Sequence, residues 1–155
     1  MSANKGAIDD RRVAVGACTD TADCDDGDEC TDDVCSDGAC TSTLFPDFGG
    51  VECEIDALIA LLGGPACGPD PLAWRLQKKL TKKLSAAKAR LAHADAATRT
   101  KIVERLIAKG DNLLATVLTV IRTAVPKGSL SAACGDALTR FVANLRVLVS
   151  GLPRS

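Results

Sequence analysis

The chain has 155 residues, enough for one domain or two small ones. Hydrophobic residues make up 46% and charged residues 25%, with a net charge of −1, which is a globular composition and not a disordered or collagen-like one. Aromatics at 3%, with no Tyr, argue against a base-stacking surface, and no run reaches the roughly 18 apolar residues of a membrane span.

The small net charge hides a strong segregation. Residues 18–40 hold nine acidic groups and no Lys or Arg, so they carry −9, and residues 41–69 add four acidic groups. Residues 70–155 hold sixteen basic groups against five acidic ones and carry +11. Composition changes at the same place, from Asp, Gly and Cys to Leu, Ala, Val and Lys. Phe45-Pro46 and Gly49-Gly50 punctuate the join. The expected organisation is an N-terminal extension (1–17), an acidic cysteine-rich module (18–44) and a helical bundle (51–152).

The first residues, Met1 to Asp10, lack the apolar core of a signal peptide. Two readings follow: a chain whose export signal has been removed, or a cytosolic chain with free thiols. Eight cysteines fit the first.

In the acidic module cysteines stand at positions 18, 24, 30, 35 and 40. A segment this short and acidic cannot order itself by burying apolar surface, so cross-links must constrain it. Zinc sites use close Cys pairs, often with His. Here the gaps are five, five, four and four residues, and His93 is the sole histidine. Disulfides are therefore expected, and with them an oxidising compartment. The run Cys24-Asp25-Asp26-Gly27-Asp28-Glu29-Cys30-Thr31-Asp32-Asp33-Val34-Cys35-Ser36-Asp37-Gly38-Ala39-Cys40 resembles the CTDC-type cysteine-rich repeat of slime-mould extracellular matrix proteins and secreted bacterial multidomain proteins. Cys30-Thr31-Asp32 and the Gly38-x-Cys40 ending carry the resemblance. It covers one copy of a unit that the family repeats in tandem. It implies export and a disulfide-stapled, loop-rich structure, with no enzymatic activity.

Asp23, Asp25, Asp26 and Asp28 flank Gly27 and are the candidate ligands for calcium, which takes six to eight oxygens. The EF-hand pattern fails, because counting back from Gly27 puts Ala22 and Cys24 at two acidic positions. The competing reading is a solvated acidic surface. No other cofactor is expected.

Four helical stretches follow. The first spans about 51–62, with Ile55, Leu58, Ile59 and Leu62 on one face, and ends at Gly63-Gly64-Pro65. The second opens at Asp70-Pro71 as N-cap and first helical residue. Its stripe is Leu72, Leu76, Leu80, Leu84, Ala87 and Leu91. The third spans about 96–124 and is apolar over two adjoining faces, which marks the central helix of the bundle. Gly110-Asp111 is its weak point, a kink or a break. The fourth spans about 130–150, with Leu130, Cys134, Leu138, Phe141, Leu145 and Leu148 inward. Short connections make sequential helices antiparallel. The fold expected is thus a small disulfide-rich irregular module followed by an all-α up-down helical bundle, three long helices plus a short leading one. This helical part loosely resembles helical attachment modules of secreted bacterial proteins, in pattern only.

That topology puts Cys67 and Cys134, each at a helix start, at one end of the bundle, so they are expected to pair. Cys53 is then left for one of Cys18, Cys24, Cys30, Cys35 and Cys40, which ties the two modules together. Pairing inside the acidic module stays open.

His93 reads as a solvated residue in the turn after the second helix. Trp74 reads as packing against the first helix or the acidic module, with a partner hot spot as the alternative. The second helix carries a basic face, Arg75, Lys78, Lys79, Lys82 and Lys83, as the candidate partner-binding surface. Its occupant could be solvent, an anionic surface or protein, or an acidic module of its own or a neighbouring chain. Export and few aromatics argue against nucleic acid. Catalytic signatures such as G-x-S-x-G, H-E-x-x-H and G-x-x-x-x-G-K-[ST] are absent. The expected function is a secreted, cell-surface or periplasmic non-enzymatic interaction module that binds a macromolecule or surface. The alternative is a structural or accessory subunit that self-assembles or attaches to a larger extracellular or periplasmic complex.

Overall fold

A computed structural model describes residues 18–27, 29–64 and 72–154. The acidic module contains a hairpin where irregular structure is expected from the sequence. β1 (Thr31–Ser36) pairs antiparallel with β2 (Ala39–Leu44), with Thr31 opposite Leu44 and Cys35 opposite Cys40. Asp37 and Gly38 join them at φ 52° and 77°. Two consecutive positive φ values define the type I′ turn whose twist suits a two-residue hairpin, and Asp-Gly is a preferred pair for it.

The ribbon alternates with period two. Thr31, Asp33 and Cys35 point to the same side as Cys40, Ser42 and Leu44, and these are at least partly covered. Asp32, Val34 and Ser36, with Ala39, Thr41 and Thr43, face solvent. The covering segment is residues 18–27, which include a single 3₁₀ turn, Thr21–Cys24. Two disulfides fasten it, Cys18–Cys35 and Cys24–Cys40. Each closes a loop of 16 or 17 residues, worth about 3 kcal/mol in the chain-entropy account. Cys24 and Cys30 are nearly fully buried, so sulfur supplies what core the module has.

Four helices follow: α1 (Phe48–Leu62), α2 (Trp74–Ala96), α3 (Thr100–Ala124) and α4 (Ala132–Ser150). Asp47 caps α1 by accepting from the Gly50 N–H at 2.8 Å, and Ser131 caps α4 by accepting from Cys134 N–H at 3.1 Å. Such caps stabilise by about 1 kcal/mol each. Asp47 moves the start of α1 to Phe48, three residues before the expected one. α2 begins after Ala73 without a side-chain cap. The expected cap at Asp70-Pro71 lies outside the described residues.

The helices form an up-down bundle. Each of the pairs α1/α2, α2/α3, α3/α4 and α4/α1 packs together, so α3 is one member of a ring and not its centre. Cross-links give the antiparallel register. Asp56 meets Lys88 between α1 and α2, and Asp111 meets Arg146 between α3 and α4. The stripes inferred from periodicity form the core: Ile55, Leu58 and Leu62 of α1; Leu76, Leu80, Leu84, Ala87 and Leu91 of α2; Leu138, Phe141 and Leu145 of α4.

Gly110-Asp111 is neither kink nor break, because α3 runs unbroken through it. Gly110 is buried where α2 crosses, and a Cβ there would stand 3.0 Å from a Leu91 methyl. Asp111 accepts from Arg146 Nε and Nη2 at 2.8 and 2.9 Å. A glycine that weakens an isolated helix here permits close helix packing, and its neighbour anchors α4 by a bidentate pair.

The module meets the bundle at α1. Cys30 is joined to Cys53, and the Phe45 N–H donates to the Cys30 carbonyl. The Phe45 backbone also passes over Gly50, where a Cβ would overlap the Phe45 carbonyl oxygen. Gly50→Ala should therefore destabilise by about 1–3 kcal/mol through overpacking. Gly49→Ala, whose Cβ would meet only Asp47 Oδ1 at 3.4 Å, should be neutral or stabilising by up to about 1 kcal/mol. Thermal unfolding of the two variants checks this. Equal midpoints would contradict the close approach.

Candidate functional site

The structure divides the five candidate cations of α2 into two rows. Arg75, Lys79 and Lys83 recur every four residues and line one wall of a groove of about 490 Å³ between α2 and the end of α3. The facing wall is Thr116, Thr119, Val120, Thr123 and Ala124, and Lys127 and Ser129 close the end. Leu76, from the α2 stripe, forms part of the floor. Among the described residues no carboxylate lines this groove, and its four cations have no ion-pair partner. Thr116, Thr119 and Thr123 donate their hydroxyls to carbonyls one turn back, which leaves oxygen lone pairs and methyl groups on the wall.

Lys78 and Lys82 lie outside the groove. The Lys78 ammonium sits 4.9 Å from the Trp74 ring centre, a cation–π contact across one helical turn. Trp74 is itself 68% exposed. It therefore packs neither on α1 nor on the acidic module, contrary to the sequence expectation, because it stands on the outer face of the first turn of α2. His93 is solvated as expected, but in the last turn of α2 and not in the following turn. Lys127 and the threonine wall were invisible to sequence reading, because they come from another element that only the fold brings opposite α2.

At the other end of the bundle, a cleft of about 580 Å³ separates the acidic module from α1, with Glu29, Glu52, Asp56 and Lys88 on its walls. Lys88 Nζ pairs with Asp56 at 2.7 Å. Burial, then the nearby Asp95 and Asp56 charges, hold the Glu52 carboxyl above its ordinary range, against the pull of Lys88.

The candidate calcium ligands do not all converge. Asp23 turns away and accepts from Thr19 N–H at 2.9 Å, Thr19 Oγ1 at 2.8 Å and Asp20 N–H at 3.3 Å. These donors lower its pKa, the Thr19 backbone foremost. Asp28 lies outside the described residues. The carboxylates that approach one another are Asp25, Asp26 and Asp33, with one oxygen of each inside a 4.8 Å group. Asp33 comes from β1 and was not among the sequence candidates. Three carboxylates offer too few groups for a full calcium shell without backbone or water oxygens. Their oxygens already accept hydrogen bonds. Gly27 N–H donates to Asp25 at 2.9 Å, Thr31 Oγ1 to Asp26 at 3.1 Å, and Ser42 Oγ to Asp33 at 2.5 Å. Asp26 N–H adds a further bond to Asp33 at 3.2 Å.

Of the remaining cysteines, Cys134 is buried in the first turn of α4 and disulfide-bonded. Cys67, its expected partner, lies outside the described residues. No protein-family model, curated protein or solved structure matches the chain.

The Asp33 contacts carry a pH signature. The Ser42 hydroxyl, then Asp26 N–H and Thr31, lower the Asp33 pKa against partial desolvation. A lowered folded-state pKa gives stabilisation that is complete above the ordinary aspartate value of about 3.9 and is lost as pH falls through the folded value. The protection of β1 and β2 amides, taken relative to their intrinsic exchange rates, should therefore fall in the acid range below about pH 4. Asp33→Asn should flatten that dependence. An unchanged acid limb in the variant would remove Asp33 as its cause.

Proposed function

We propose that this protein is a non-enzymatic interaction module of an oxidising, extracytoplasmic compartment, and that it engages an anionic partner through the groove between α2 and α3. The observation that carries the reading is the groove's charge: Arg75, Lys79, Lys83 and Lys127 converge on it without a carboxylate among its described lining residues. Cations drawn together from α2 and the turn after α3 repel one another, and an anion in the groove relieves that repulsion. The apolar lining of Leu76, Val120 and Ala124 adds contact for the body of such a ligand. Among the described residues the groove offers no histidine, thiol or carboxylate to act as base or nucleophile. The compartment rests on the three disulfides Cys18–Cys35, Cys24–Cys40 and Cys30–Cys53. The resemblance of residues 18–41 to a repeat of secreted proteins points the same way. No helix among the described residues is long and apolar enough to cross a membrane.

Two charge reversals of equal size on one helix test the groove. Lys79→Glu with Lys83→Glu changes its wall, and Lys78→Glu with Lys82→Glu changes the neighbouring row. All four side chains are exposed or half-exposed, so folding should be little affected. Binding of fluorescent polyglutamate should weaken about tenfold or more in the first variant and much less in the second, with a flatter salt dependence in the first. Equal losses would make the basic face a diffuse charged surface and refute the groove.

A further inference from the structure

The groove reading leaves its occupant open, and the charge layout of the whole chain names one. Between residues 18 and 74 there is no Lys or Arg, and that stretch carries fourteen acidic groups. From Arg75 to Ser155 sixteen basic groups face four acidic ones. The fold converts this division in sequence into a division in space. The acidic module is bolted to the beginning of α1 by Cys30–Cys53. The beginning of α1 lies beside the end of α2, as Asp56–Lys88 and the influence of Asp95 on Glu52 show. The groove lies beside the beginning of α2 and the end of α3. The negative and positive poles therefore sit at opposite ends of the bundle. α2 has 23 residues, roughly 34 Å of helix, or about four screening lengths at physiological salt.

Neither pole can neutralise the other within one molecule, yet the net charge of −1 leaves copies free to approach. The hairpin has the shape for an intermolecular contact. Its main contacts are internal and with the 3₁₀ turn, so it stands off the helices. Its tip is slim, Ser36, Asp37, Gly38 and Ala39, and all four residues are exposed. Its solvent face presents Asp32 and a 40% exposed Val34, an acidic and apolar pair that matches the cations and the apolar floor of the groove.

We infer that the acidic hairpin of one copy docks in the α2–α3 groove of the next, a head-to-tail contact between identical chains. Such a contact is heterologous, so each bound copy leaves a free groove at one end and a free hairpin at the other, and assembly continues as an open chain or a closed ring. This inference rests on the groove being an anion-binding surface.

Complementary half-sites test it. Lys79→Glu with Lys83→Glu disables the groove and keeps the hairpin. Asp32→Lys with Asp37→Asn disables the hairpin and keeps the groove. Asn tolerates the positive φ of position 37, so the turn survives. Sedimentation velocity at low salt and submillimolar concentration should show oligomers for the parent chain and monomers for each variant alone. An equimolar mixture of the variants should give heterodimers and nothing larger, because each pair has one working contact and two dead ends. Raising the salt to 0.5 M should dissolve both kinds of assembly. A parent chain that stays monomeric, a variant that still assembles alone, or a mixture that stays monomeric would each overturn the contact. If the monomeric parent still binds polyglutamate through Lys79 and Lys83, the self-contact fails while the groove reading stands. If it binds neither, both fail.

Discussion

The Cys30–Cys53 disulfide decides where nine carboxylates sit. The acidic module has two disulfides of its own, but its buried side chains amount to little more than Cys24, Cys30 and Thr31. It lacks an apolar face with which to dock on a helix bundle, and it has no cation with which to form ion pairs. Without the bond to Cys53 its attachment would rest on the chain through Phe45, Pro46 and Asp47 and on the close passage over Gly50. With that bond, the hairpin is held at the start of α1, and the whole acidic pole is held at the end of the molecule remote from Arg75 and Lys79. The electrostatic character of the surface is thus set by a covalent constraint and not by packing.

The bundle was largely legible because hydrophobic burial has a period. Stripes such as Leu76, Leu80, Leu84 and Leu91 could only be the inner face of a helix, and they became one. What failed in the helices was local. Gly110 reads as a weak point when a helix is considered alone, but the close approach of Leu91 gives its missing side chain a purpose that no single-helix argument contains. Leu106, Leu113 and Val120 suggested a helix buried over a wide arc, and they prove half-covered at the seams between neighbours. The hairpin was missed although its signal was present. Asp37-Gly38 is a strong turn pair, but the flanking strands alternate Thr, Asp, Cys and Ser in place of apolar and polar residues, so the usual period-two cue was silent. The covering layer there is disulfide and hydroxyl, not hydrocarbon.

The candidate site shows the same division. The basic face of α2 was visible as five cations at helical spacing. Its resolution into a groove row, Arg75, Lys79 and Lys83, and an outer row, Lys78 and Lys82, depends on which side α3 covers. The contribution of Lys127 and the threonines of α3 depends on tertiary register, which a periodic pattern does not encode. Likewise, Asp33 joins Asp25 and Asp26 only because the 18–27 segment folds across the ribbon. Sequence reading grouped Asp23 with them by proximity along the chain, where Thr19 and Asp20 claim it instead. The chain carries two opposed charge poles at opposite ends of the bundle. Surface cations alone are a weak reason for binding, and cations converging on a groove with no carboxylate among its described residues are a stronger one.

Disulfide mapping of the oxidised chain tests the central constraint most directly. Residues 13–74 contain no Lys or Arg, so an aspartate-directed protease is the suitable tool, and Asp residues separate all six cysteines from 18 to 53. Digestion with thiols blocked should release one peptide pair joining Cys30 to Cys53, along with pairs joining Cys18 to Cys35 and Cys24 to Cys40. A pair joining Cys53 to any other cysteine, or a free thiol at Cys30, would contradict the account, because the acidic pole would then be anchored elsewhere or not at all.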